Sequence, residues 1–423
     1  MLLTNISFPS TYKLLNNPLQ RNLNWFENIK QLPKYPRFNL EKEFEKCALP
    51  NKIRAFGDTI LDINNCPIEF EAFKQAKIQF KPSPVYKNYG PSGSQEFNTA
   101  CEQLIFGNKS KIIKEKRFCS LQTLGGTGAL YLAMNLLHDL FPDKKIYFPM
   151  PNRYIHQKLF AHISRNSPQC TPQCYIYTDQ NNKLSMDGIK YSMKFAFENS
   201  IVLFQTCGHN PSGQDPSPKE WKEIADICVK KELFPVFEST YLGLASGDPI
   251  SDSAPIRIFE ESGLDFVHCL SFTNNLGLHS DRLGCLSILL NDSKTVEKVK
   301  SLIESKIISE YFSPPFQIAN TVAQILNDQK LKDLWIKQLQ KIHQRFNLIK
   351  KKIHQNLYLN QSSNKLQDIE NTKGLFLPNR LTKQDAEELK RQGLFIGANS
   401  EISIAGLHEN NINHFIKIMK SVL

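Results

Sequence analysis

The chain has 423 residues and a mass of 48.6 kDa, which is enough for two or three domains around a large core. Hydrophobic residues make up 41% and charged residues 22%, so general disorder is excluded. No apolar run reaches the roughly 18 residues that a transmembrane helix needs. The net charge of +11 comes from basic residues spread along the chain without interleaved aromatic residues. We therefore expect no nucleic-acid partner.

The ten cysteines are irregularly spaced, and most lie in apolar runs. This usage is typical of reduced, buried thiols in an intracellular protein. Cys170 and Cys174 are four residues apart in a polar segment, but two further ligands are missing there. The sequence therefore predicts no metal site.

Residues 1–34 are expected to form an N-terminal arm. The first 26 residues contain no acidic residue but include Lys13 and Arg21, a composition that suits a mitochondrial presequence. Pro9 and Pro18 would interrupt an amphipathic helix in this segment. Two interpretations stay open, a retained targeting segment and an ordinary arm. Mitochondria are accordingly the favoured compartment, with the cytoplasm as the alternative.

Helices and strands alternate in the middle of the chain. Apolar residues spaced three and four apart follow Gly125 and Gly126, which predicts a helix over 128–140. A capping box with proline at the first helical position starts a second helix at Ser217. Strands are predicted in five apolar runs: 146–148, 201–204, 233–237, 266–271 and 283–290. This alternation predicts an α/β fold with a mainly parallel sheet, whose ligands bind beyond the carboxyl ends of the strands.

The pattern changes near residue 331, where one long helix is predicted to run to about residue 355. A strand–helix–strand stretch follows and ends near 402–405, before a last helix at the C-terminus. These elements indicate a second, smaller domain.

Four loops carry groups suited to chemistry. The segment 125–129 opens a helix with glycines and a threonine, which suits a phosphate group at the helix N-terminus. The loop 208–213 offers the amide of Asn210, and Glu238 stands at a strand end. The segment 271–282 then offers a serine hydroxyl and the guanidinium of Arg282.

In this order and spacing the four loops resemble those of the aspartate aminotransferases, which are pyridoxal-phosphate enzymes of fold type I. The most specific segment is 207–221 together with 234–248, and the resemblance extends from about residue 24 to the C-terminus. It implies a large domain with a mainly parallel seven-stranded sheet over residues 67–341. It also implies a smaller α/β domain that combines 35–66 with 342–423.

Eight positions match cofactor-binding residues of that family: Tyr89, Gly126, Thr127, Asn210, Glu238, Tyr241, Ser271 and Arg282. The resemblance implies that Tyr89 reaches the phosphate of the partner subunit, while Asn210 and Tyr241 bind the ring oxygen. Gly125 stands where the family has serine. Glu238 stands where the family has the aspartate that pairs with the ring nitrogen, and its side chain is one methylene longer.

The catalytic positions depart from the family pattern. Asn274 replaces the lysine that forms the Schiff base, and no lysine occurs between Phe272 and Arg282. An amide nitrogen can neither form an imine nor transfer the proton of the substrate carbon. Glu401 and Ile308 replace the two arginines that bind substrate carboxylates.

A further departure is Arg153, which stands where the family has the tryptophan stacked over the cofactor ring.

From these departures we expect a pseudoenzyme, which has no catalytic residues. The eight positions named above would remain as a vestigial cofactor-binding site. Its role would be that of a structural or accessory subunit in a homodimer, a paralogue heterodimer or a larger mitochondrial assembly. Residues 24–26 would lie across a partner. No covalently held cofactor is expected. The alternative is a protein that binds pyridoxal phosphate non-covalently, or another phosphate ligand or phosphate anion, with altered or residual activity.

Overall fold

The computed structural model describes residues 29–31, 34–79, 90–107, 110–166, 172–358, 365–366, 368–397 and 399–423. The N-terminal segment with Lys13 and Arg21, the aromatic residues at 25 and 26, Tyr89 and Cys170 all lie outside these residues. Within the described residues, no helix is both long enough and apolar enough to cross a membrane.

Two kinds of sheet are present, one large and two small. The strands are β1 (Ile53–Ala55), β2 (Phe118–Leu124), β3 (Ile146–Met150), β4 (Gln173–Ile176), β5 (Ile201–Gln205), β6 (Phe234–Ser239), β7 (Phe266–Ser271), β8 (Leu283–Leu289), β9 (Phe376–Leu377), β10 (Leu394–Ile396) and β11 (Ile402–Ser403). The seven-stranded sheet has the order β2-β8-β7-β6-β5-β3-β4. Strand β8 is antiparallel to both of its neighbours, and the other pairs are parallel. The predicted α/β fold with a mainly parallel seven-stranded sheet is confirmed.

Helices pack on both faces of this sheet and against the small sheets. They are α1 (Pro36–Lys46), α2 (Glu71–Gln79), α3 (Gln95–Phe106), α4 (Lys111–Glu115), α5 (Gly125–Leu140), α6 (Tyr154–Asn166), α7 (Met186–Lys194), α8 (Pro218–Lys230), α9 (Pro249–Asp252), α10 (Ala254–Glu261), α11 (Ser293–Tyr311), α12 (Phe316–Asn327), α13 (Gln329–Ile353), α14 (Lys383–Arg391) and α15 (Ile412–Met419). A π-helical turn (His354–Tyr358) follows α13, and a 3₁₀ turn (Ile369–Asn371) precedes β9.

Both faces of the central strands are buried, which explains why these strands are apolar without alternation. Along β5, Val202 and Phe204 join one hydrophobic cluster, whereas Leu203 joins the cluster on the opposite face. Trp221 of α8 packs on the first face, with its ring 5.7 Å from that of Phe204. Ala133 of α5 belongs to the second face. The sheet is thereby fixed between two helical layers.

Two small sheets lie apart from the large one. Strand β1 pairs in parallel with β10, and β11 pairs antiparallel with β9, so that residues near 53 contact residues near 395. These pairings join the two segments that the sequence assigns to the small domain. The division into 35–66 plus 342–423 and 67–341 stays a prediction.

Candidate active site

The predicted loops meet at one edge of the large sheet. Strands β5, β6 and β7 are parallel neighbours and end at Gln205, Ser239 and Ser271. Because the carboxyl ends of parallel strands share an edge, the loops that follow them are neighbours. The N-terminus of α5 joins them, since α5 follows β2 directly at Gly125.

A cup for a phosphate group forms at the start of α5. Gly125 has φ +76°, a conformation that favours glycine, and the guanidinium of Arg282 lies 3.2–3.4 Å from where a Cβ on Gly125 would be. A Cβ on Gly126 would come within 2.7 Å of Ser271 Cβ. The structure thus brings Gly126, Ser271 and Arg282 together, and exposed Thr127 stands in the same first turn. At position 125, where the family has serine, glycine adopts this backbone conformation without strain.

Asn210 and Tyr241 form a hydrogen-bonded pair beside the cup. The amide Nδ2 of Asn210 donates to Tyr241 Oη at 3.1 Å. Asn210 Oδ1 is buried and, within the described residues, receives no hydrogen bond. Burial raises the pKa of Tyr241, which keeps its hydroxyl protonated. The pair can therefore present both a donor and an acceptor to a ligand.

Glu238 lies at the centre of a buried charged group. Its carboxylate forms an ion pair with Arg153, accepts a hydrogen bond from Thr240 Oγ1 at 3.1 Å, and lies 2.8 Å from His156 Nε2. Burial opposes ionisation of this carboxyl group, but Arg153 and His156 outweigh it and lower its pKa to about 2. Arg153 also donates to Thr240 at 3.0 Å. Its guanidinium is the cation that pairs with Glu238 in this structure.

Asn274 lies beside a second ion pair. Its Nδ2 donates to Asp58 Oδ2 at 3.3 Å, and Asp58 Oδ1 lies 2.8 Å from Arg37 Nη1. Burial would raise the pKa of Asp58, but the cations Arg37 and Arg153 lower it to about 2. Asn274 Oδ1 is buried and unpaired among the described residues.

A cavity of about 240 Å³ opens above these pairs. Arg37, Asp58, Arg153, Asn210 and Glu401 line it. Burial and the nearby Asp58 raise the pKa of the Glu401 carboxyl group to about 7.

Ile308 lies on α11 with 49% of its side chain exposed, and it is not part of the cavity lining formed by the described residues. Tyr89 lies outside the described residues.

Sequence reasoning missed three members of this site: Arg37, Asp58 and His156. Arg37 and Asp58 are separated by 20 intervening residues and carry no motif, so only the fold reveals their pairing. His156 stands three residues after Arg153, one helical turn away, and this spacing was the available signal.

The family model for "Aminotransferase class I and II" matches residues 58–416. The chain belongs to this family. It is 30% identical to the mitochondrial aspartate aminotransferase of Dictyostelium discoideum, in an alignment that covers 95% of this chain and 94% of the relative. It is 29% identical to the mitochondrial aspartate aminotransferase of Arabidopsis thaliana, in an alignment that covers 94% of this chain and 92% of the relative. Among solved structures, the cytoplasmic aspartate aminotransferase of Saccharomyces cerevisiae superposes with a TM-score of 0.88 at 27% identity, covering 94% of this chain and 98% of that one.

These findings correct the prediction of a pseudoenzyme. The expectation of a structural or accessory subunit is wrong, because the relatives that match nearly the whole chain are aspartate aminotransferases. The same relatives contradict the alternative, a protein that binds pyridoxal phosphate non-covalently, or another phosphate ligand, with altered or residual activity. The prediction that no cofactor is held covalently is wrong as well. The chain is also similar in structure to the aromatic-amino-acid aminotransferase of Burkholderia pseudomallei, which is covalently bound to pyridoxal phosphate (23% identity, TM-score 0.87, covering 94% of this chain and 99% of that one).

The described residues fit two groups of pyridoxal phosphate, its phosphate and its ring oxygen. The cup of Gly126, Ser271 and Arg282 suits the phosphate, because backbone N–H groups and a guanidinium converge there. The unpaired Oδ1 of Asn210 and the hydroxyl of Tyr241 suit a ring oxygen that both donates and accepts. At the ring nitrogen, however, the carboxylate of Glu238 is already paired with Arg153.

Proposed function

We propose that this protein is a pyridoxal-phosphate-dependent enzyme of the aminotransferase family that transfers amino groups between small molecules. The observation that carries the proposal is the cup at the start of α5, where Gly126, Ser271 and Arg282 come together as a phosphate site. The likeness to aspartate aminotransferases over at least 94% of the chain supports it.

Each cofactor contact in this proposal is assigned to a residue. Gly126, Thr127, Ser271 and Arg282 hold the phosphate, together with the partner subunit's Tyr89. Asn210 and Tyr241 orient the ring through its oxygen, and Glu238 lies on the side of the ring nitrogen while it keeps its ion pair with Arg153.

When bound, the cofactor supplies an aldehyde that carries the amino group and a ring that withdraws electrons. The chain's own residues bind and orient it.

The attachment of the cofactor is where this chain departs from the family pattern. Asn274 has no amine, and residues 273–281 contain no lysine. We therefore expect the lysine that carries the cofactor to lie outside this segment, so that residue 274 only positions Asp58 through its 3.3 Å hydrogen bond. Glu401 and Ile308 are proposed to replace the substrate-binding arginines of the family.

We also propose that the protein is a homodimer and that it is located in mitochondria. The exposed apolar side chains of Ile308 (49%) and Phe312 (71%) support a dimer, since large exposed apolar side chains on one segment are typical of an interface. The mitochondrial relatives and the acid-free N-terminus support the compartment.

Titration of the purified protein with pyridoxal phosphate, followed by absorbance, tests the proposed cup. Arg282→Gln removes a charge-assisted hydrogen bond worth about 1.5–3 kcal/mol, so affinity should fall by roughly 10- to 100-fold. Arg391→Gln is the matched control, because the side chain of Arg391 is 73% exposed and pairs with neighbouring Glu388 on the surface. Equal affinity in all three proteins would contradict the proposed cup.

The reaction class is tested with ¹⁵N-labelled amino donors and a panel of 2-oxo acids. Mass spectrometry should find the label in a new amino product only when cofactor, donor and acceptor are all present. Failure to transfer label from any donor, in protein that holds the cofactor, would contradict the assignment as an aminotransferase.

A further inference from the structure

The charges around the 240 Å³ cavity do not balance within the described residues. Two cations line it, and each is engaged by a carboxylate: Arg37 by Asp58 at 2.8 Å and Arg153 by Glu238. Glu401 is a third carboxyl group, and no hydrogen bond or ion pair to it is found in the described part of the chain. When Glu401 is ionised, the site carries one negative charge without a counter-ion.

Two unpaired hydrogen-bond acceptors of the described residues lie at this cavity or beside a residue that lines it. Asn210, which is 8% exposed and lines the cavity, has a buried Oδ1 that receives no hydrogen bond in the described structure. Asn274, which donates to Asp58, likewise has a buried and unpaired Oδ1 among the described residues. Buried acceptors without donors are rare, because leaving them unpaired costs free energy. Within the described residues, the Glu401 carboxylate thus lacks both a counter-ion and a hydrogen-bond donor.

A carboxylate ligand would fit this cavity poorly. To reach a cation it would have to displace Asp58 from Arg37 or Glu238 from Arg153. Either displacement leaves a buried carboxylate without its partner, which is strongly unfavourable. An ammonium or guanidinium group brings both the missing charge and several N–H donors.

We propose that Glu401 forms a binding subsite for an ammonium or guanidinium group, and that the substrates of this protein are compact diamines without a carboxylate instead of dicarboxylates. The small cavity favours a compact ligand, since pockets for drug-sized ligands are about 300–1,000 Å³. Tyr35, Phe56 and Phe376 supply apolar surface for an aliphatic stem. The choice of substrate rests on the proposed function, whereas binding of the cationic group does not.

The pH dependence of binding follows from the surroundings of Glu401. Burial and Asp58 raise the pKa of this carboxyl group to about 7, while Arg37 and Arg153 lower it less. Tyr35 and Tyr241 also face it and stay neutral near pH 7, because burial raises the pKa of each. A bound cation favours the ionised carboxylate, so binding near neutral pH releases a proton and affinity rises from pH 6 to pH 8.

Isothermal titration calorimetry of the full chain with 1,4-diaminobutane, 1,5-diaminopentane and L-aspartate tests the subsite. We expect the two cationic probes to bind at least tenfold more tightly than aspartate, with a heat that depends on the buffer because a proton is released. Glu401→Gln should weaken their binding at least tenfold and remove its rise with pH. Glu401→Asp, which keeps the charge, should retain more affinity than Glu401→Gln. Glu261→Gln, at an exposed glutamate on α10, should behave as wild type.

Tighter binding of aspartate, no binding of either cationic probe, or unchanged affinity in folded Glu401→Gln would overturn the subsite. The same protein titrated with pyridoxal phosphate separates the two proposals. If the cationic probes bind but the protein does not take up the cofactor, the result contradicts only the proposed function. If the protein takes up the cofactor and transfers the amino group of aspartate, but does not bind the cationic probes, the result contradicts only the subsite.

Discussion

At the scale of single residues, Arg153 sets the charge at the centre of the site. Its guanidinium pairs with Glu238, whose side chain is only 3% exposed, and it also donates to Thr240. A buried ion pair contributes little net stability, but removal of one partner leaves the other charge uncompensated.

We expect Arg153→Leu to lower the free energy of unfolding by about 3 kcal/mol, because Glu238 then retains only His156 and Thr240. Urea unfolding at pH 7 measures this change. Arg391→Leu removes an arginine that is 73% exposed and should alter stability by no more than about 0.5 kcal/mol. Equal effects of the two substitutions would show that the Glu238 pair is unimportant for folding.

Glu401 is expected to make stability depend on pH. Its pKa rises from 4.5 to about 7 on folding, mainly through burial and Asp58. Between these values the folded state binds more protons than the unfolded state, so stability falls as pH rises and levels off above about pH 7. Below pH 4.5 both states are protonated and the penalty disappears.

Glu401→Gln should therefore be more stable than wild type by about 2 kcal/mol at pH 8, after allowance for contact with cavity water, and nearly equal to it at pH 4. Urea unfolding across this range measures the difference. Other groups that titrate in this range, among them Glu102, Asp252 and Lys350, are present in both proteins, so their contributions cancel. A constant difference at every pH would contradict the raised pKa.

Part of the site was predictable residue by residue, and part was not. Asn210 and Arg282 stand in local motifs whose spacing fixes their place at strand ends, and the structure puts them there. The pairing of Arg37 with Asp58 and of Arg153 with Glu238 depends on how distant segments approach each other. No local spacing encodes such contacts.

At the scale of elements, the close contact between β8 and the start of α5 shapes the phosphate cup. A Cβ on Gly284 would lie 2.4 Å from the carbonyl carbon of Gly125 and 2.8 Å from the amide nitrogen of Gly126. Backbone atoms cannot yield as a flexible side chain can, so a methyl group there must push α5 away from the strand.

We expect Gly284→Ala to destabilise the protein by about 1–3 kcal/mol and to weaken phosphate binding in the cup. Gly90→Ala is the matched control, since a Cβ at Gly90 meets nothing within 4 Å in the described structure. Thermal unfolding and calorimetry with pyridoxal phosphate measure the two effects. A Gly284→Ala protein as stable as the control would contradict the close packing.

Element prediction succeeded where periodicity is strong. The helix predicted over 128–140 occurs as α5 from Gly125, and the long helix predicted over 331–355 occurs as α13 over Gln329–Ile353. The capping box at Ser217 is present with both of its hydrogen bonds. The strand–helix–strand stretch predicted to end near 402–405 occurs as β9, α14, β10 and β11, with one strand more than predicted, and β9 and β11 have only two residues each.

At the scale of the whole molecule, exposed apolar surface at the C-terminal end of α11 supports the proposed dimer. Ile308 and Phe312 are 49% and 71% exposed, although both are large and apolar. By the resemblance, residue 308 enters the site of the partner subunit.

We expect the protein to sediment as a dimer of 48.6 kDa subunits, and Ile308→Asp to shift it to the monomer, because a buried carboxylate at the interface lacks a partner. Leu348→Asp is the control, since Leu348 is 69% exposed on α13. Analytical ultracentrifugation distinguishes the two states. A wild-type monomer, or an Ile308→Asp dimer as tight as wild type, would contradict the proposed interface.

The most direct test of the central claim, that this cup holds pyridoxal phosphate for amino transfer, is borohydride reduction of the cofactor-treated protein followed by peptide mass mapping. The account predicts one modified lysine, in a peptide outside residues 273–281, and loss of this modification in Arg282→Gln but not in Arg391→Gln. Protein that takes up no cofactor, or that carries it on no lysine, would contradict the account.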